Sequence, residues 1–491
     1  MKILLISPPF KTEYGKFSRD QRSPAITKSG TIYYPTWLAS ATGVLTEAGH
    51  TCKLLDCCAI GWDDERTLEF VKEFQPQMTV INTSTPSIYN DCEFSEKVKA
   101  VVPVTFTVLV GTHPSALPEA TLAINETVDA VARREYDYTL RDLAARLAEG
   151  TGDFSDILGL TWRTSADTYK STDDRPYIED LDELPFVSKV YKEQGINPYD
   201  YFFAAAEYPM MMIFTGRGCP NQCFFCVYPQ TFHGRKVYRL RSPENVIAEL
   251  EYMVKNFPEL KSVGFEDDTF TADLERTKAI CRLMIEKGLN KKFNWWVNAR
   301  VTLDYDTMKL MKQAGCRLLV AGFESGNQHV LNEMHKGIKL DWTKEYVKNA
   351  NKAGLLIHGC FMVGNPGETK ETMEETFRLA LRLNTDTAQF FPLMVYPGTD
   401  AYAWAERNHY LVTKDWSEWI TTDGLHSCVI SLPEVSDKEL VAFCDEARRK
   451  YYLRPAYILS KLRQFVFNPG ERKRLIKAGT RFIRFLAKKG D

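Results

Sequence analysis

The stretch that decides the fold is PMMMIFTGRGCPNQCFFC, residues 209–226. It begins with an apolar run, continues through a glycine-containing turn, and ends with Cys219, Cys223 and Cys226 in a C-x-x-x-C-x-x-C pattern. A short apolar run bounded by glycine is typical of a buried strand. The pattern therefore predicts a strand that carries three thiols in a loop at its carboxyl end.

Five further apolar runs follow this strand, and helical patterns separate them. The runs are KSVGFEDDTF, FNWWVNAR, CRLLVAGFES, LIHGCFMVGNPGE and AQFFPLMVYPG, and the helical patterns include SPENVIAELEYMVKNF and KETMEETFRLALRL. Six consecutive β/α units of this size predict a partial (β/α)6 barrel of the TIM type over residues 206–400. In such barrels the functional side chains lie at the carboxyl ends of the strands.

Polar residues follow these apolar runs at the predicted rim of the barrel. We expect them to surround a site, whereas the alternative is that the carboxylates cap the next helices and the arginine pairs with them. In strand order they are Glu266, Asp267 and Asp268 after the second strand, Arg300 after the third, Glu324 after the fourth, and residues 364–368 after the fifth.

Residues 1–150 also alternate strand-like and helical patterns, beginning with KILLISPP, TWLASATGVLTEAGH and TCKLLDC. This alternation predicts an α/β unit with a doubly wound, Rossmann-like parallel sheet, in which ligands bind at the carboxyl ends of the strands. Residues 151–205 are rich in Asp, Thr, Ser and Pro and predict an extended linker.

Residues 401–491 form the last predicted unit, a mostly helical and aromatic extension. Its final stretch, ERKRLIKAGTRFIRFLAKKG, places apolar residues near one helical face and Lys and Arg on much of the rest. A basic amphipathic helix suits a peripheral membrane or lipid contact, and the alternative is a solvated closing helix packed on the barrel. The apolar residues of this face are Leu475, Ile476, Phe482, Ile483 and Leu486.

Composition and charge exclude several classes of protein. The 491 residues carry a formal net charge of −2, so the molecule as a whole is not built to coat nucleic acid. No run reaches the length of a spanning helix, and the start MKILLISPPF lacks the features of a signal peptide. We therefore expect a cytoplasmic, reducing setting, in which the twelve cysteines are thiols or metal ligands rather than disulfides.

The three cysteines of the loop point to a metal cluster. Three thiolates can hold three corners of a cubane iron–sulfur cluster, whereas a structural zinc site normally takes four protein ligands. With no fourth Cys or His at zinc-finger spacing, one iron would stay open to a small molecule. The alternative, buried thiols without a metal, fits isolated cysteines better than three at this spacing.

The motif CPNQCFFC resembles that of radical S-adenosylmethionine (SAM) enzymes, including Phe225 just before the third cysteine, and the six β/α units resemble their partial barrel. The resemblance implies a [4Fe-4S] cluster whose open iron is chelated by the amino and carboxylate groups of SAM. It further implies reductive cleavage to a 5′-deoxyadenosyl radical, which abstracts hydrogen from an unactivated C–H bond. A reduced flavodoxin- or ferredoxin-type protein would supply the electron.

The same resemblance assigns roles around the rim. GFEDDTF resembles the second-strand motif of the subgroup with N-terminal cobalamin-type domains, which implies a role for Glu266. Arg300 would clamp the methionine carboxylate, a group that suits a bidentate guanidinium. Glu324 and Ser325 would lie near the amino group or the ribose, and the GNPGET stretch, Gly364 to Glu368, near the adenine.

The first unit resembles the cobalamin-binding domain fused to this radical subgroup. Its candidate cofactor-binding residues are Ser84, Thr85, Gly111, Thr112 and Glu135. Cobalamin domains with a histidine cobalt ligand have D-x-H-x-x-G, whereas Cys58 stands at that position here. The resemblance therefore implies cobalamin without a histidine lower ligand, and the alternative is a structural domain that has lost the cofactor.

Within the subgroup, YPTWL, CFFCVYPQ and YRLRSPE most resemble members associated with hopanoid lipids. Anaerobic magnesium-protoporphyrin ester cyclases and cobalamin-dependent methyltransferases look less close. We therefore expect an enzyme that modifies an apolar small molecule or lipid, by methylation or by cyclisation and C–C bond formation, on the inner face of the membrane. The alternatives are a non-enzymatic iron–sulfur or cobalamin protein and a transfer-RNA-modifying enzyme, although nucleic acid is not an expected partner.

Overall fold

The protein consists of two largely parallel sheets, each packed against helices. The structure, a computed structural model, describes residues 1–234, 236–467, 471–472, 474–476 and 479–480. In chain order its strands are β1 (Lys2–Ser7), β2 (Phe17–Ser18), β3 (Ala25–Ile26), β4 (Thr51–Asp56), β5 (Met78–Asn82), β6 (Phe106–Val110), β7 (Ala130–Ala132), β8 (Leu160–Ser165), β9 (Thr168–Ser171), β10 (Met210–Ile213), β11 (Gly216–Cys219), β12 (Val237–Leu240), β13 (Ser262–Phe265), β14 (Asn294–Ala299), β15 (Cys316–Glu324), β16 (Leu356–Val363) and β17 (Thr387–Pro392). Its helices are α1 (Thr36–Glu47), α2 (Cys57–Ile60), α3 (Asp64–Phe74), α4 (Ile88–Val101), α5 (Thr112–Ala116), α6 (Pro118–Ile124), α7 (Asp137–Ala148), α8 (Val187–Gln194), α9 (Pro243–Asn256), α10 (Leu274–Glu286), α11 (Tyr305–Gln313), α12 (Gln328–Glu333), α13 (Leu340–Ala353), α14 (Lys370–Leu383), α15 (Asp400–Arg407), α16 (Asp437–Tyr452) and α17 (Pro455–Phe467).

The first sheet has the strand order β4-β1-β5-β6-β7-β8-β9, and its first five strands are parallel. Alternate residues of β1 face opposite sides of the sheet. Ile3 and Leu5 join the core that contains α1 and α7, whereas Leu4 and Ile6 join the core that contains α3 and α4. Because both faces are buried, the strands are nearly continuous apolar runs. This confirms the predicted doubly wound, Rossmann-like fold.

Residues 151–205 are not simply the extended linker that the sequence predicts. Within this range β8 and β9 add two antiparallel strands to the edge of the first sheet, and α8 packs against α1 and α9. β9 is mostly exposed. An edge strand that faces water tolerates polar residues, so it lacks the apolar run by which buried strands are recognised. The first sheet therefore continues beyond residue 150.

The second sheet is an open barrel of six parallel strands in the order β10-β13-β14-β15-β16-β17. Sequential parallel strands joined by right-handed crossovers place their helices on one face and curl around the other. The carboxyl ends of all six strands therefore meet at one rim, and the predicted partial barrel is confirmed. A separate antiparallel hairpin of β11 and β12 follows β10 and carries Cys219 at its tip.

The carboxyl-terminal helices close the side of the barrel. α16 packs against β17, and α17 follows it. The helical extension is thus confirmed, but its predicted amphipathic tail lies mainly outside the described residues: Leu475 and Ile476 are described, whereas Phe482, Ile483 and Leu486 are not. Among the helices of the described ranges, none has the length and apolar character needed to cross a membrane.

Candidate active site

The loop with the three cysteines is held to the barrel by backbone contacts. The Gln230 side-chain amide donates to the carbonyl of Cys223 at 2.7 Å, and the Phe224 N–H donates to the carbonyl of Met334 at 3.0 Å. Cys223 is buried, and Cys219 and Cys226 are partly exposed. Burial, and then Asp268, raises the pKa of the Cys226 thiol. The loop thus presents three thiols beside the rim.

The glycine before the first thiol is required by the geometry of the hairpin. Gly218 has a φ of +91°, and a Cβ there would lie 2.3 Å from the carbonyl oxygen of Val237. A side chain would separate β11 from β12 and move Cys219. The absence of a side chain at Gly218 thus lets the backbone approach closely beside the thiol loop.

Glu324, at the end of β15, has one carboxylate oxygen free of partners among the described residues. Its Oε1 accepts a hydrogen bond from Lys336 Nζ at 2.7 Å, whereas its buried Oε2 has none. Glu324 has a φ of +61° at an irregularity in the β15–β16 register, a strained arrangement that other packing must support. Gly322 makes room for the pair, because a Cβ there would lie 2.1 Å from Glu324 Oε1. A ligand group could therefore donate to Oε2.

Lys336 brings several predicted residues together at this side of the rim. Burial disfavours the charged form of Lys336, but the ion pair with Glu324 outweighs burial. The pKa of Lys336 is therefore raised above its ordinary value, and the ammonium stays charged. Lys336 Nζ lies 5.8 Å from the ring centre of Phe225. The backbone carbonyl of Lys336 accepts a hydrogen bond from Arg300 Nη2 at 3.3 Å. Phe225, Arg300 and Glu324 are thus neighbours.

Glu266 forms the opposite part of the rim with an arginine from the amino-terminal segment. Arg22 donates to Glu266 Oε1 at 2.7 Å and to Asp268 Oδ1 at 3.3 Å. Glu266 Oε2 is buried and lacks a partner among the described residues. Burial raises the pKa of Glu266, while Arg22 opposes the rise. This side too has an oxygen available to a ligand.

The remaining predicted residues of the barrel have internal partners. Glu368 accepts from the Gly364 N–H at 3.1 Å and from the Thr372 hydroxyl at 2.5 Å, so its carboxylate holds the turn after β16. Ser325 Oγ accepts from the Asn327 N–H at 3.1 Å. In this turn the buried side-chain oxygen of Asn365 has no partner among the residues that the structure describes. Contact with adenine by Gly364, Glu368 or Ser325 stays a prediction.

In the first unit, Ser84 and Thr85 form internal contacts. Ser84 bonds to Ser87 within a short turn, and Thr85 Oγ1 lies 3.2 Å from His113 Nδ1. Trp416, from the carboxyl-terminal unit, packs on His113 at 5.2 Å between ring centres. These hydroxyls are thus already engaged, and their role in cofactor binding stays a prediction.

Gly111 and Thr112 line a narrow cavity between the first sheet and the barrel. Its walls also include Thr83 and Tyr136, whose buried hydroxyls lack partners among the described residues. The volume is about 20 Å³, because residues 19–24 of the amino-terminal segment occupy this edge of the sheet. The orphaned hydroxyls fit a polar ligand, but the space as it stands is far too small for a corrin ring.

Glu135 joins the two sheets instead of facing a cavity. Its Oε1 accepts from His233 Nδ1 at 2.8 Å and from Arg239, and its Oε2 accepts from Arg217 at 3.1 Å. Burial opposes ionisation, but His233, Arg217 and Arg239 together lower the pKa of Glu135. Both oxygens are occupied by this ion network, and the contact of Glu135 with a cofactor stays a prediction. The network continues from His233 Nε2 to Asp268 at 3.2 Å.

This network predicts a pH-dependent stability that depends on His233. Burial lowers the pKa of His233, but Asp268 and Glu135 outweigh it and raise the pKa above 6.5. The imidazolium therefore stabilises the fold fully below pH 6.5, and this contribution is lost as pH rises through the folded-state value. In urea titrations at a series of pH values, we expect the stability difference between wild type and His233→Gln to shrink above pH 6.5. The exposed His329→Gln control should show no such trend.

A second, much larger cavity of about 580 Å³ opens at the side of the barrel. Its inner end contains Phe203, whose ring centre lies 6.1 Å from that of Tyr33 and 5.9 Å from that of His358. Burial, and then the charge of Glu266, raises the pKa of Tyr33. A volume between about 300 and 1,000 Å³ is typical of small-molecule sites.

The cysteines outside the thiol loop are free thiols in this structure. Cys57 and Cys58 are buried, and Cys58 contacts Arg19 at 3.2 Å, as expected of core thiols. Within the part of the chain that is described, no three His, Cys, Asp or Glu side chains are grouped as ligands of a single metal ion. Cys316, Cys360, Cys428 and Cys444 are free thiols without such a grouping.

The fold and the thiol loop define a radical SAM type of protein, and comparison with known proteins agrees. Residues 213–380 match the Radical SAM superfamily, and residues 22–144 match the B12 binding domain. An uncharacterized methyltransferase of Pyrococcus horikoshii is 30% identical over 463 residues, which cover 94% of this chain and 95% of that protein. The chain therefore belongs to the radical SAM enzymes that carry a B12 binding domain.

Two further similarities describe this relationship. The anaerobic magnesium-protoporphyrin IX monomethyl ester cyclase of Cereibacter sphaeroides is 28% identical, over 75% of this chain and 60% of that protein. The methyltransferase TsrM of Kitasatospora setae, solved with cobalamin and a [4Fe-4S] cluster bound, superposes with a TM-score of 0.69 at 17% identity. The alignment covers 93% of this chain and 91% of TsrM, which shows a shared fold.

Several residues of the site carried no signal in the sequence. Arg22 lies in an irregular segment, more than 240 positions before its partner Glu266. Lys336 follows a short helix that the apolar periodicity does not single out, and His233 lies in a loop after the cysteines. Arg22 and His233 have partners that are distant in sequence, and Lys336 lies 12 positions from Glu324 across a short helix. A strand–helix pattern indicates none of these pairs.

Proposed function

We propose that the protein is a radical SAM enzyme that modifies an unactivated carbon of an apolar small molecule or lipid. The observation that carries the proposal is the large, mainly apolar cavity, whose wall includes Gln21, the residue next to the Arg22 that donates to Glu266 at the rim. When bound, the [4Fe-4S] cluster and SAM supply a 5′-deoxyadenosyl radical for hydrogen abstraction. The chain belongs to a family with this chemistry, and its own residues define the binding geometry.

The residues present fit this pair of cofactors. Cys219, Cys223 and Cys226 would hold three irons and leave the fourth to SAM. The unpartnered oxygen of Glu324 suits an ammonium group, and the Arg300 guanidinium suits a carboxylate. The loop buries Cys223, which keeps water away from that part of the cluster.

Cobalamin is the further proposed cofactor, held at the carboxyl edge of the first sheet without a histidine ligand. Thr83 and Tyr136 would donate to corrin amide groups there. Because residues 19–24 fill this space, we expect cobalamin to bind only after that segment moves.

The cobalamin content of anaerobically purified protein separates methylation from cyclisation, since loading with cobalamin is expected for methyl transfer. We further propose that a flavodoxin- or ferredoxin-type protein donates the electron to the cluster and that the enzyme is located at the membrane surface.

Release of 5′-deoxyadenosine from SAM after anaerobic reduction with dithionite tests the proposal directly. A protein that holds an intact cluster and releases none would instead support a non-enzymatic role. Visible spectra and iron counts on the same sample show whether the cluster is present, so an unloaded preparation is not mistaken for an inactive one.

Glu324→Gln should weaken SAM binding. The variant preserves the shape but removes the charge that faces Lys336 and the ligand ammonium. Loss of a charged hydrogen bond costs about 1.5–3 kcal/mol, so we expect the KM for SAM to rise by about 10- to 100-fold. The measurement is 5′-deoxyadenosine formation against SAM concentration, with the exposed Glu286→Gln as the control. An unchanged KM would remove Glu324 from the SAM site.

A further inference from the structure

The charges around the large cavity are unevenly distributed. Its inner part is aromatic and neutral, with Tyr33, Phe203 and His358, and burial lowers the pKa of His358 to about 4. At its outer part four cations line the wall with a single carboxylate, Asp445. Asp445 accepts from Arg448 at 2.6 Å and from Lys28 at 3.1 Å, and the other cations are Lys461 and Arg474.

This outer cluster has an excess of positive charge in a partly buried place. Lys461 pairs with Asp386 at 3.5 Å, and Arg474 pairs with Glu471 at 2.6 Å. Burial, with Arg474 nearby, lowers the pKa of Lys461. Crowded cations of this kind attract an anionic group, because each added negative charge reduces their mutual repulsion.

The mouth of the cavity is formed by a helix with an exposed apolar surface. α17 contributes Ile458, Leu462 and Phe465 to the cavity wall, and these side chains are also 37–57% exposed. Leu459 and Val466, on the same helix, are 59% and 57% exposed. Such a patch on a helix too short to span a bilayer is typical of contact with a lipid surface.

The sequence around this helix adds matching charge. From residue 454 to residue 490 the chain has eleven Lys and Arg and one acidic residue, Glu471. Basic residues beside an apolar helix increase affinity for anionic lipids. On α17 itself, the apolar patch and the cavity mouth coincide with Lys461 and Arg463.

We propose that α17 docks on an anionic membrane surface and that the cavity takes from it an amphipathic lipid with an anionic headgroup. The lipid enters with its apolar end first, the headgroup stays at Lys28, Arg448, Lys461 and Arg474, and the apolar end reaches Tyr33 and His358. The carbon that is modified is therefore remote from the headgroup. This inference rests on the proposed function and specifies its substrate class and the route of entry.

Vesicle flotation of the anaerobic holoprotein tests the docking surface. We expect flotation with phosphatidylcholine mixed with phosphatidylglycerol, and much less with phosphatidylcholine alone. The double substitution Leu459→Glu and Val466→Glu keeps good helix formers while adding charge to the patch, and should weaken flotation at least about tenfold. The matched control is Val104→Glu, because Val104 is 86% exposed on the first sheet unit and lies outside the patch.

Binding of a dansyl-labelled long-chain fatty acid tests the cavity. Gln389, on β17, is exposed within the cavity wall, so Gln389→Trp should fill the space and weaken binding at least about tenfold. Gln389→Ala, which enlarges the cavity, should bind as wild type does. Ala204→Trp provides a second blocking variant in case the first unfolds, and circular dichroism verifies that each variant is folded.

Two results would overturn the inference: wild type that does not float with anionic vesicles, or a double variant that floats as wild type does. Light scattering that shows a dimer lost in the double variant would assign the patch to a second copy of the chain and would also overturn it. Failure of the proposed function is distinguishable, because it appears as wild type with an intact cluster that releases no 5′-deoxyadenosine.

Discussion

Replacing Cys226 with alanine should abolish cluster binding and SAM cleavage. The loop supplies three thiols, and a cubane held by two of them loses an iron ligand that no neighbouring His or Cys can replace within the described loop. The Cys226 carbon skeleton itself contributes little, because the residue is only partly buried. We expect reconstituted iron to fall to background and 5′-deoxyadenosine to be undetectable, measured by iron and sulfide counts and by chromatography.

The matched control is Cys92→Ala. Cys92 is a fully buried thiol in the core of the first sheet, so this variant tests whether loss of any thiol has the same effect. Cys92→Ala should lower the free energy of unfolding only by the amount expected for a small packing defect, and its iron content should match that of wild type. Iron that persists in Cys226→Ala with normal SAM cleavage would refute the assignment of the loop.

Much of the barrel could be predicted because its strands are buried on both faces. Runs such as MMMI and CRLLVAGFE are apolar for that reason, and their even separation by helices indicates a parallel order. The edge strand β9 is mostly exposed, so its residues are chosen by exposure to water and not by packing, and it gave no such signal. The neighbouring strand β8 is buried only over its first three residues, a run too short to stand out, so the sequence indicated a linker.

The site could be predicted as far as it is local. A strand end followed by a carboxylate places Glu266 and Glu324 at the rim, and the cysteine spacing is local by definition. The function of Glu135 was not predictable in this way. Its position after β7 is that of a ligand-binding residue, but Arg217 and Arg239 from the distant hairpin occupy its oxygens. Ion pairs between distant segments depend on tertiary packing, which a strand–helix pattern does not encode.

The second large prediction concerns Arg217, a fully buried cation that joins the two sheets. Its side chain is fully buried and donates to Asp137 at 2.8 Å, to Glu135 at 3.1 Å and to Ser40 at 2.9 Å. The guanidinium also lies 4.4 Å from the ring centre of Trp37. Burial disfavours its charge, but Asp137 and then Glu135 outweigh burial and raise the pKa of Arg217.

Arg217→Ala should therefore reduce the free energy of unfolding by about 3–5 kcal/mol, the usual cost of leaving a buried charge without its partner. Asp137 would retain only Ser40, whereas Glu135 would keep Arg239 and His233. Adding Asp137→Asn should recover part of the loss, since the orphaned charge is then removed. Urea unfolding followed by circular dichroism measures all three proteins.

The exposed pair of Arg146 and Asp156 provides the matched control, and Arg146→Ala should leave the unfolding midpoint nearly unchanged. Because Arg217 lies two positions before Cys219 on β11, its loss should also loosen the thiol loop and lower the iron content of the folded fraction. If Arg217→Ala were as stable as Arg146→Ala, the Arg217 ion pairs would contribute no net stability to the contact between the two sheets. The ion network would then have to be explained by its position beside Asp268 and the thiols, and no longer by stability.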